Sequence, residues 1–442
     1  MTMAESNKVV ILGAGLAGLG AAYKSGFPLY EAAPGPGGAA CSTVKDGFVF
    51  DIGIHVLQSK NRYFHDLLGE LGVELVSRKR SGWIYSFGGY SRYPFQVNTS
   101  HLPFGVRARC VAGFVANGRK NEPANYEEWM LCNFGEGFSR NFLIPYAEKF
   151  WGVPPSEMTY EWTGNRVPRP KVMQVIKGMF KDQETDLGTH VHFQYPVETG
   201  AGFAAIATGL ARNLSGVHYN MKATSVLPAE KSIAFNGGET TVRYGRLIST
   251  IPLPELLNLM PGVPPEITAA ASRLRCNSIA VVNLGIARGA LTDRHWVHFP
   301  EKEISFFRIS FPSNFCDGLN PPGTSSIQAE VSYDPASAPG RDDLLRRVKD
   351  DLRRIGLLRK DDRCIVEEVV YQRYGYVIYD HARKDTVRKI HEYLNTMDIY
   401  PCGRYGAWEY LWSDEAISSG MQAAEAAVEQ SVPHAGKHFK TA

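Results

Sequence analysis

Lys8-Val-Val-Ile-Leu12 runs straight into Gly13-Ala-Gly15-Leu-Ala-Gly18 and then into a small-residue stretch reaching Lys24. The apolar run predicts a short buried parallel strand, and the glycines with the small residues after them predict a tight turn and a helix. Each glycine serves a separate purpose. The first permits the turn, the second lets backbone approach an anion, and the third lets helix and strand pack closely. The helix N-terminus then offers free N–H groups to a pyrophosphate. A second apolar strand, Phe27 to Tyr30, ends in Glu31, eighteen residues after Gly13, where a carboxylate would accept hydrogen bonds from an adenosine ribose. The pattern therefore predicts a dinucleotide site on Gly13, Gly15, Gly18 and Glu31.

The same stretch could be taken for a signal-peptide core, because Val9 to Tyr23 is fifteen uncharged residues between Lys8 and Lys24. It is shorter than the ~20 residues that span a membrane, and a signal core does not require glycines at these intervals. Seven cysteines, at 41, 110, 132, 276, 316, 364 and 402, form neither a CxxC pair nor a regular framework. They fit reduced thiols in a cytoplasmic enzyme without disulfides or bound metal. A net charge of +3, with basic residues scattered, gives no electrostatic footprint for nucleic acid or an anionic membrane. A small-molecule partner is expected, while nothing here sets the oligomeric state.

A second glycine cluster follows, Gly35-Pro-Gly37-Gly38-Ala39-Ala-Cys41-Ser42, and then Phe48-Val-Phe50-Asp51-Ile-Gly53-Ile54-His55. A plain nicotinamide enzyme does not need it, whereas the longer flavin dinucleotide does, since its diphosphate and ribityl chain pass a second loop before the ring system reaches the cleft. Gly37, Gly38 and Ala39 join the cofactor candidates. Here the chain resembles the large flavoprotein superfamily that contains amine oxidases, protoporphyrinogen oxidase, phytoene desaturase and UDP-galactopyranose mutase, which implies FAD.

Four later stretches resemble UDP-galactopyranose mutases, particularly the eukaryotic type: Tyr93-Pro-Phe-Gln96 with Asn98 and Leu102-Pro103; Pro145-Tyr146 with Lys149, Trp151, Trp162 and Gly164-Asn-Arg166-Val167; Phe307-Arg308; and Gly403-Arg404-Tyr405-Gly406-Ala-Trp408-Glu-Tyr410. The resemblance implies an α/β protein: a discontinuous Rossmann-like FAD-binding domain (1–75, 195–255 and 390–432), a mainly helical substrate domain (76–194) and a six-stranded antiparallel sheet domain (256–389), with 433–442 as a frayed tail. Local patterns agree, with helical periodicity between Phe64 and Leu187 and β-rich runs from Ala280 to Ala287, Ile304 to Phe311 and Ser326 to Tyr333, broken by a helix from Arg341 to Ile355.

A nucleotide-activated sugar carries a base, two sugars and a doubly charged diphosphate, so its site needs aromatic surfaces and guanidinium forks. Tyr93, Gln96 and Trp151 are expected at base and ribose. The resemblance places Arg166, Arg308, Tyr376 and Tyr410 at the diphosphate, Arg404 at the FAD, and His55 beside the flavin, making His55, Arg166 and Arg308 the candidate catalytic residues. It implies pyranose–furanose isomerisation through the N5 atom of reduced flavin, with an external reductant such as NAD(P)H. The same fold also serves amine-oxidase or desaturase-type hydride transfer to FAD, and a flavin-bearing scaffold without turnover is a third reading. The chain departs from the mutase pattern at Ile54, Gln58, Ala147, His298, Phe315 and Asp414, which puts the identity of the sugar in question. An acid at 414 beside a diphosphate would be unfavourable unless turned away or neutralised.

Overall fold

The computed structural model describes residues 8–118, 121–164, 166–167, 169–184, 187, 191–198 and 200–429; the tail expected at 433–442 lies outside them. A five-stranded parallel sheet is assembled from three distant chain segments in the order Ile399–Pro401, Arg246–Ser249, Val9–Leu12, Leu29–Tyr30 and Val217–His218. Val9–Leu12 is buried throughout, as a strand covered on both faces must be. On one face the helix Leu16–Ser25 packs against the closing helix Ser413–Glu429. The contact is close enough that a side-chain carbon on Gly420 would overlap the Ala17 carbonyl. The opposite face is covered by a cluster including Leu253, Leu256, Ile390 and Leu394.

The second sheet has seven strands, one more than the resemblance implies, in the order Cys364–Gln372, Ser278–Ile286, Ser325–Tyr333, Arg308–Ser310, Trp296–His298, Gly82–Ser86 and Gly89–Arg92. Neighbours run antiparallel except Trp296–His298, which pairs parallel to Gly82–Ser86. The last two strands in that order, Gly82–Ser86 and Gly89–Arg92, correct the helical reading of the stretch after Phe64. Trp83, Tyr85 and Tyr90 add a hairpin to a sheet edge whose other members lie some two hundred residues away, a pairing no local window contains. The expected strand from Ile304 to Phe311 shrinks to Arg308–Ser310. Alternation sorts this sheet's faces. Ala280, Val282, Leu284 and Ile286 share a core with Leu344, Leu345 and Val348 of the helix Arg341–Arg354, while Ile279 and Val281 face Phe150, Tyr146 and Tyr376.

The helices Phe104–Val115, Tyr126–Phe138, Ile144–Trp151 and Val172–Gly178 form the third layer around Phe95, Trp129, Phe134 and Trp151. One π-helical turn, Ser139–Leu143, joins two of them. Together the three layers enclose one large cavity. All seven cysteines are free thiols, and no helix among the described residues is long and apolar enough to cross a membrane.

Candidate active site

A cavity of about 750 Å³ runs from the tip of the parallel sheet to the aromatic wall between the second sheet and the helical layer. At its sheet end, Gly13 adopts φ +96°, and a side-chain carbon there would collide with Thr250 Oγ1. Gly15 has an ordinary φ of −70°, yet a carbon added to it meets nothing within 4 Å. The space it guards is the one an approaching pyrophosphate needs. Gly18 does not line the cavity; a side chain there would strike the Gly13 carbonyl, so it serves packing.

The second loop docks on the first. Gly37, at φ +125°, donates its N–H to the Ala14 carbonyl at 2.8 Å, and a carbon on Gly38 would come within 3.1 Å of Gly15 Cα. Glu31 is oriented by backbone on both oxygens, accepting from Ala14 N–H at 2.6 Å and Ala33 N–H at 2.8 Å. A carboxylate so held keeps lone pairs for ribose hydroxyls. Gly13, Gly15, Glu31, Gly37, Gly38 and Ala39 all line the cavity.

Arg404 stands where the cavity turns toward the aromatic wall, its guanidinium 5.0 Å from the ring centres of both Tyr376 and Tyr410. Its Nε and Nη2 are buried without a hydrogen-bond partner among the described residues. Buried donors are normally satisfied, so this side chain calls for an acceptor supplied by a ligand. His55 lies close by, its Nδ1 3.4 Å from the Gly53 carbonyl and its ring 5.1 Å from Phe203. Burial lowers the pKa of this imidazole, partly offset by the charge of Asp51. A glycine cradle, a backbone-oriented acid and an unsatisfied arginine along one cavity fit a flavin dinucleotide.

Past Arg404 the wall is aromatic. Trp151, almost fully buried, packs edge-on against Trp162, Tyr376 and Tyr410 with ring centres 4.8, 5.8 and 5.9 Å away. Tyr93 and the buried Gln96 border the far end. Both predicted guanidinium forks reach the cavity, and both already hold acids. Arg308 makes a bidentate pair with Glu330, two N–O distances of 2.7 Å, and touches Tyr376 Oη at 3.4 Å. Arg166 meets Glu415 at 3.1 and 3.2 Å, donates to the Trp162 and Tyr410 carbonyls, and lies 5.3 Å from the rings of Tyr410 and Trp412.

Glu330 and Glu415 are absent from the sequence-derived candidates. A signal for Glu330 exists, since it is the one charged residue in the otherwise uncharged strand Ser325–Tyr333. Tyr146 and His298, hydrogen-bonded at 2.8 Å, are a further pair that the residue types alone do not join. Of the positions that depart from the mutase pattern, Ile54, Gln58, Ala147, His298 and Asp414 line the cavity. Phe315 does not; it packs in the core with Phe193 and Tyr195. Asp414 is turned toward the Ser59 hydroxyl, which donates to it.

A parallel sheet with this cradle at its tip defines a dinucleotide-binding protein. The chain belongs to the flavin-containing amine oxidoreductase family, whose model matches residues 27–428. Among solved structures it is similar to reduced UDP-galactopyranose mutase, with a TM-score of 0.89, 28% identity and 96% of both chains covered. It is also similar to putrescine oxidase bound to putrescine (TM-score 0.67, 16% identity, 96% of this chain and 99% of that one) and to an oxidoreductase from Methanosarcina mazei (0.64, 15%, 94% and 99%). The last two likenesses are of fold alone. The fold is thus that of a flavin-dependent enzyme with a separate, mainly antiparallel sheet layer.

Proposed function

We propose that the protein is an FAD-dependent enzyme acting on a nucleotide-activated sugar, interconverting pyranose and furanose forms as UDP-galactopyranose mutases do. What carries this reading is that one cavity joins a dinucleotide cradle to four arginines and a wall of tyrosines and tryptophans, with similarity to a mutase along nearly the whole chain. Bound and reduced, FAD supplies the N5 nucleophile for the sugar's anomeric carbon.

The protein's part is binding and orientation. Gly15, Gly37 and Glu31 seat the dinucleotide, and Arg404 supplies its two unsatisfied N–H groups where the cofactor meets the substrate. Trp151, Tyr376 and Tyr410 form the aromatic wall at the junction, and Tyr93 with Gln96 receives the base. Arg308 and Arg166 offer planar forks to the leaving diphosphate and stabilise its charge. Because each fork already holds a carboxylate, it is pre-oriented, and Arg166 exchanges the half-exposed Glu415 for the ligand more readily than Arg308 leaves the buried Glu330.

Titration of the flavin-loaded protein with UDP tests the reading. Arg166→Lys and Arg308→Lys keep charge but lose the fork, and each should weaken binding by about 1–3 kcal/mol at normal flavin content. Unchanged affinity in both variants removes the diphosphate clamp. Wild-type protein that binds nothing containing a diphosphate leaves hydride transfer from a small amine, alcohol or carbon skeleton as the reading to pursue.

A further inference from the structure

Strand register places three polar side chains in a row on the cavity side of the seven-stranded sheet. His298 is the cross-strand partner of Arg308, and Arg308 that of Glu330. Directly opposed residues project to the same face, so the imidazole stands beside a guanidinium whose charge is matched by Glu330 on its far side. On its other flank are Arg80 and Tyr93. The Arg80 guanidinium lies 5.0 Å from the Tyr93 ring, and the Tyr93 and His298 rings are 5.7 Å apart. From the helix Ile144–Trp151, Tyr146 Oη reaches His298 Nδ1 at 2.8 Å. Among the described residues, the titratable and charged groups facing the imidazole are therefore two arginines and two tyrosines, with Glu330 held behind Arg308.

We propose that His298, seated on Tyr146, is a proton-coupled anion receiver: the imidazole takes a proton from solvent as the diphosphate of a nucleotide-activated substrate settles against Arg308. This rests on the nucleotide-sugar reading above and adds to it a residue that sets ligand charge preference.

Tyr146 suits such a partner because a hydroxyl both donates and accepts. It donates to Nδ1 of the neutral ring and accepts from Nδ1–H of the charged ring, so the hydrogen bond survives proton uptake with no heavy atom displaced. Without an anion the ring stays neutral: burial and the charges of Arg308 and Arg80 lower its pKa to about 3. A diphosphate between these groups reverses the sign of the local field, and a nearby anion raises the proton affinity of a base. A tyrosine at this position would offer a hydrogen bond but no charge near neutrality. Diphosphates are thereby favoured over uncharged ligands, and increasingly so as pH falls.

The test uses the FAD-loaded protein and UDP-galactose, whose phosphodiester groups do not titrate between pH 6 and pH 8. Wild-type affinity should rise on the order of tenfold from pH 8 to pH 6, the limit for one proton taken up across that window being tenfold per pH unit. His298→Asn keeps a polar partner for Tyr146 but cannot gain the proton, and its affinity should stay flat within about twofold. Calorimetry of the wild type in two buffers of different ionisation enthalpy gives the proton count without any variant. Binding without proton uptake, or an equal pH slope in His298→Asn, overturns this inference and leaves the nucleotide-sugar reading standing. A wild type that fails to bind UDP-galactose at any pH defeats both.

Discussion

Arg308 and Glu330 close a two-pronged ion pair between adjacent strands beneath the cavity, Nε to Oε1 and Nη2 to Oε2 both at 2.7 Å. Glu330 is 2% exposed and Arg308 14%, so neither charge is left to water. Removing one partner from such a pair leaves the other desolvated and unmatched. Glu330→Leu should therefore lower unfolding stability by about 3–5 kcal/mol, measured in denaturant. A loss under about 1 kcal/mol, in the range of exposed pairs, would contradict that placement.

Arg404 predicts the opposite combination. Two of its nitrogens lack a partner among the described residues, so Arg404→Leu should leave the apoprotein as stable as before or more so. Flavin binding should weaken by about 1.5–3 kcal/mol, the range for hydrogen bonds from a charged donor. Flavin absorbance after gel filtration and apoprotein melting separate the two effects, and an apoprotein that melts earlier with undiminished flavin content would be the contrary result.

Gly15 caps the helix Leu16–Ser25 and Gly18 lies in its first turn, with different duties. A carbon added at Gly15 meets open space at ordinary backbone angles, so Gly15→Leu should purify colourless and melt close to the wild-type apoprotein. Gly18→Ala drives a carbon into the Gly13 carbonyl and should cost about 1–3 kcal/mol of folding stability through overpacking. Equal effects from both substitutions would refute the separate assignments.

These glycines show why the cradle is legible in the sequence. Backbone approach and tight packing admit almost no other residue at Gly13, Gly15 and Gly18, so the constraint is written locally. The same holds for Ser278–Ile286, whose apolar run announces it, and for Ser325–Tyr333, where Ile327, Ala329, Val331 and Tyr333 alternate with polar residues. Pairing over distance stays hidden. Gly82–Ser86 becomes a strand because Trp296–His298 lies beside it, and Arg166 meets Glu415 across 249 positions. The arginines could be named from their motifs, but the acids that hold them could not, because a glutamate's role depends on which side chain the fold brings against it.

Two histidines give the protein an acid limit. His295 Nδ1 accepts the Ser81 N–H at 2.8 Å, which requires that nitrogen to be unprotonated, and burial lowers its pKa to about 4. For His298, burial with Arg308 and Arg80 gives about 3. Both values lie below the 6.5 of a free imidazole, so beneath that pH the unfolded chain binds protons the folded one does not. Stability is full above about pH 6.5 and falls toward pH 4, by up to about 1.4 kcal/mol per pH unit for each ring. Unfolding in urea at pH 4 to 7 should show a steep acid limb that becomes shallower in His298→Asn. An identical limb in the variant would mean that His298 titrates alike folded and unfolded.

Above all, the flavin should act on the sugar of a nucleotide diphosphate without net oxidation. This is measured by incubating the FAD-loaded protein with UDP-galactopyranose and UDP-galactofuranose, with and without dithionite, and following ring form by chromatography and flavin state by absorbance. The two sugars should interconvert only when the flavin is reduced, with no stoichiometric redox product. Oxygen consumption with net oxidation of an amine, alcohol or carbon skeleton, and no change in either sugar nucleotide under reducing conditions, would contradict a redox-neutral mutase.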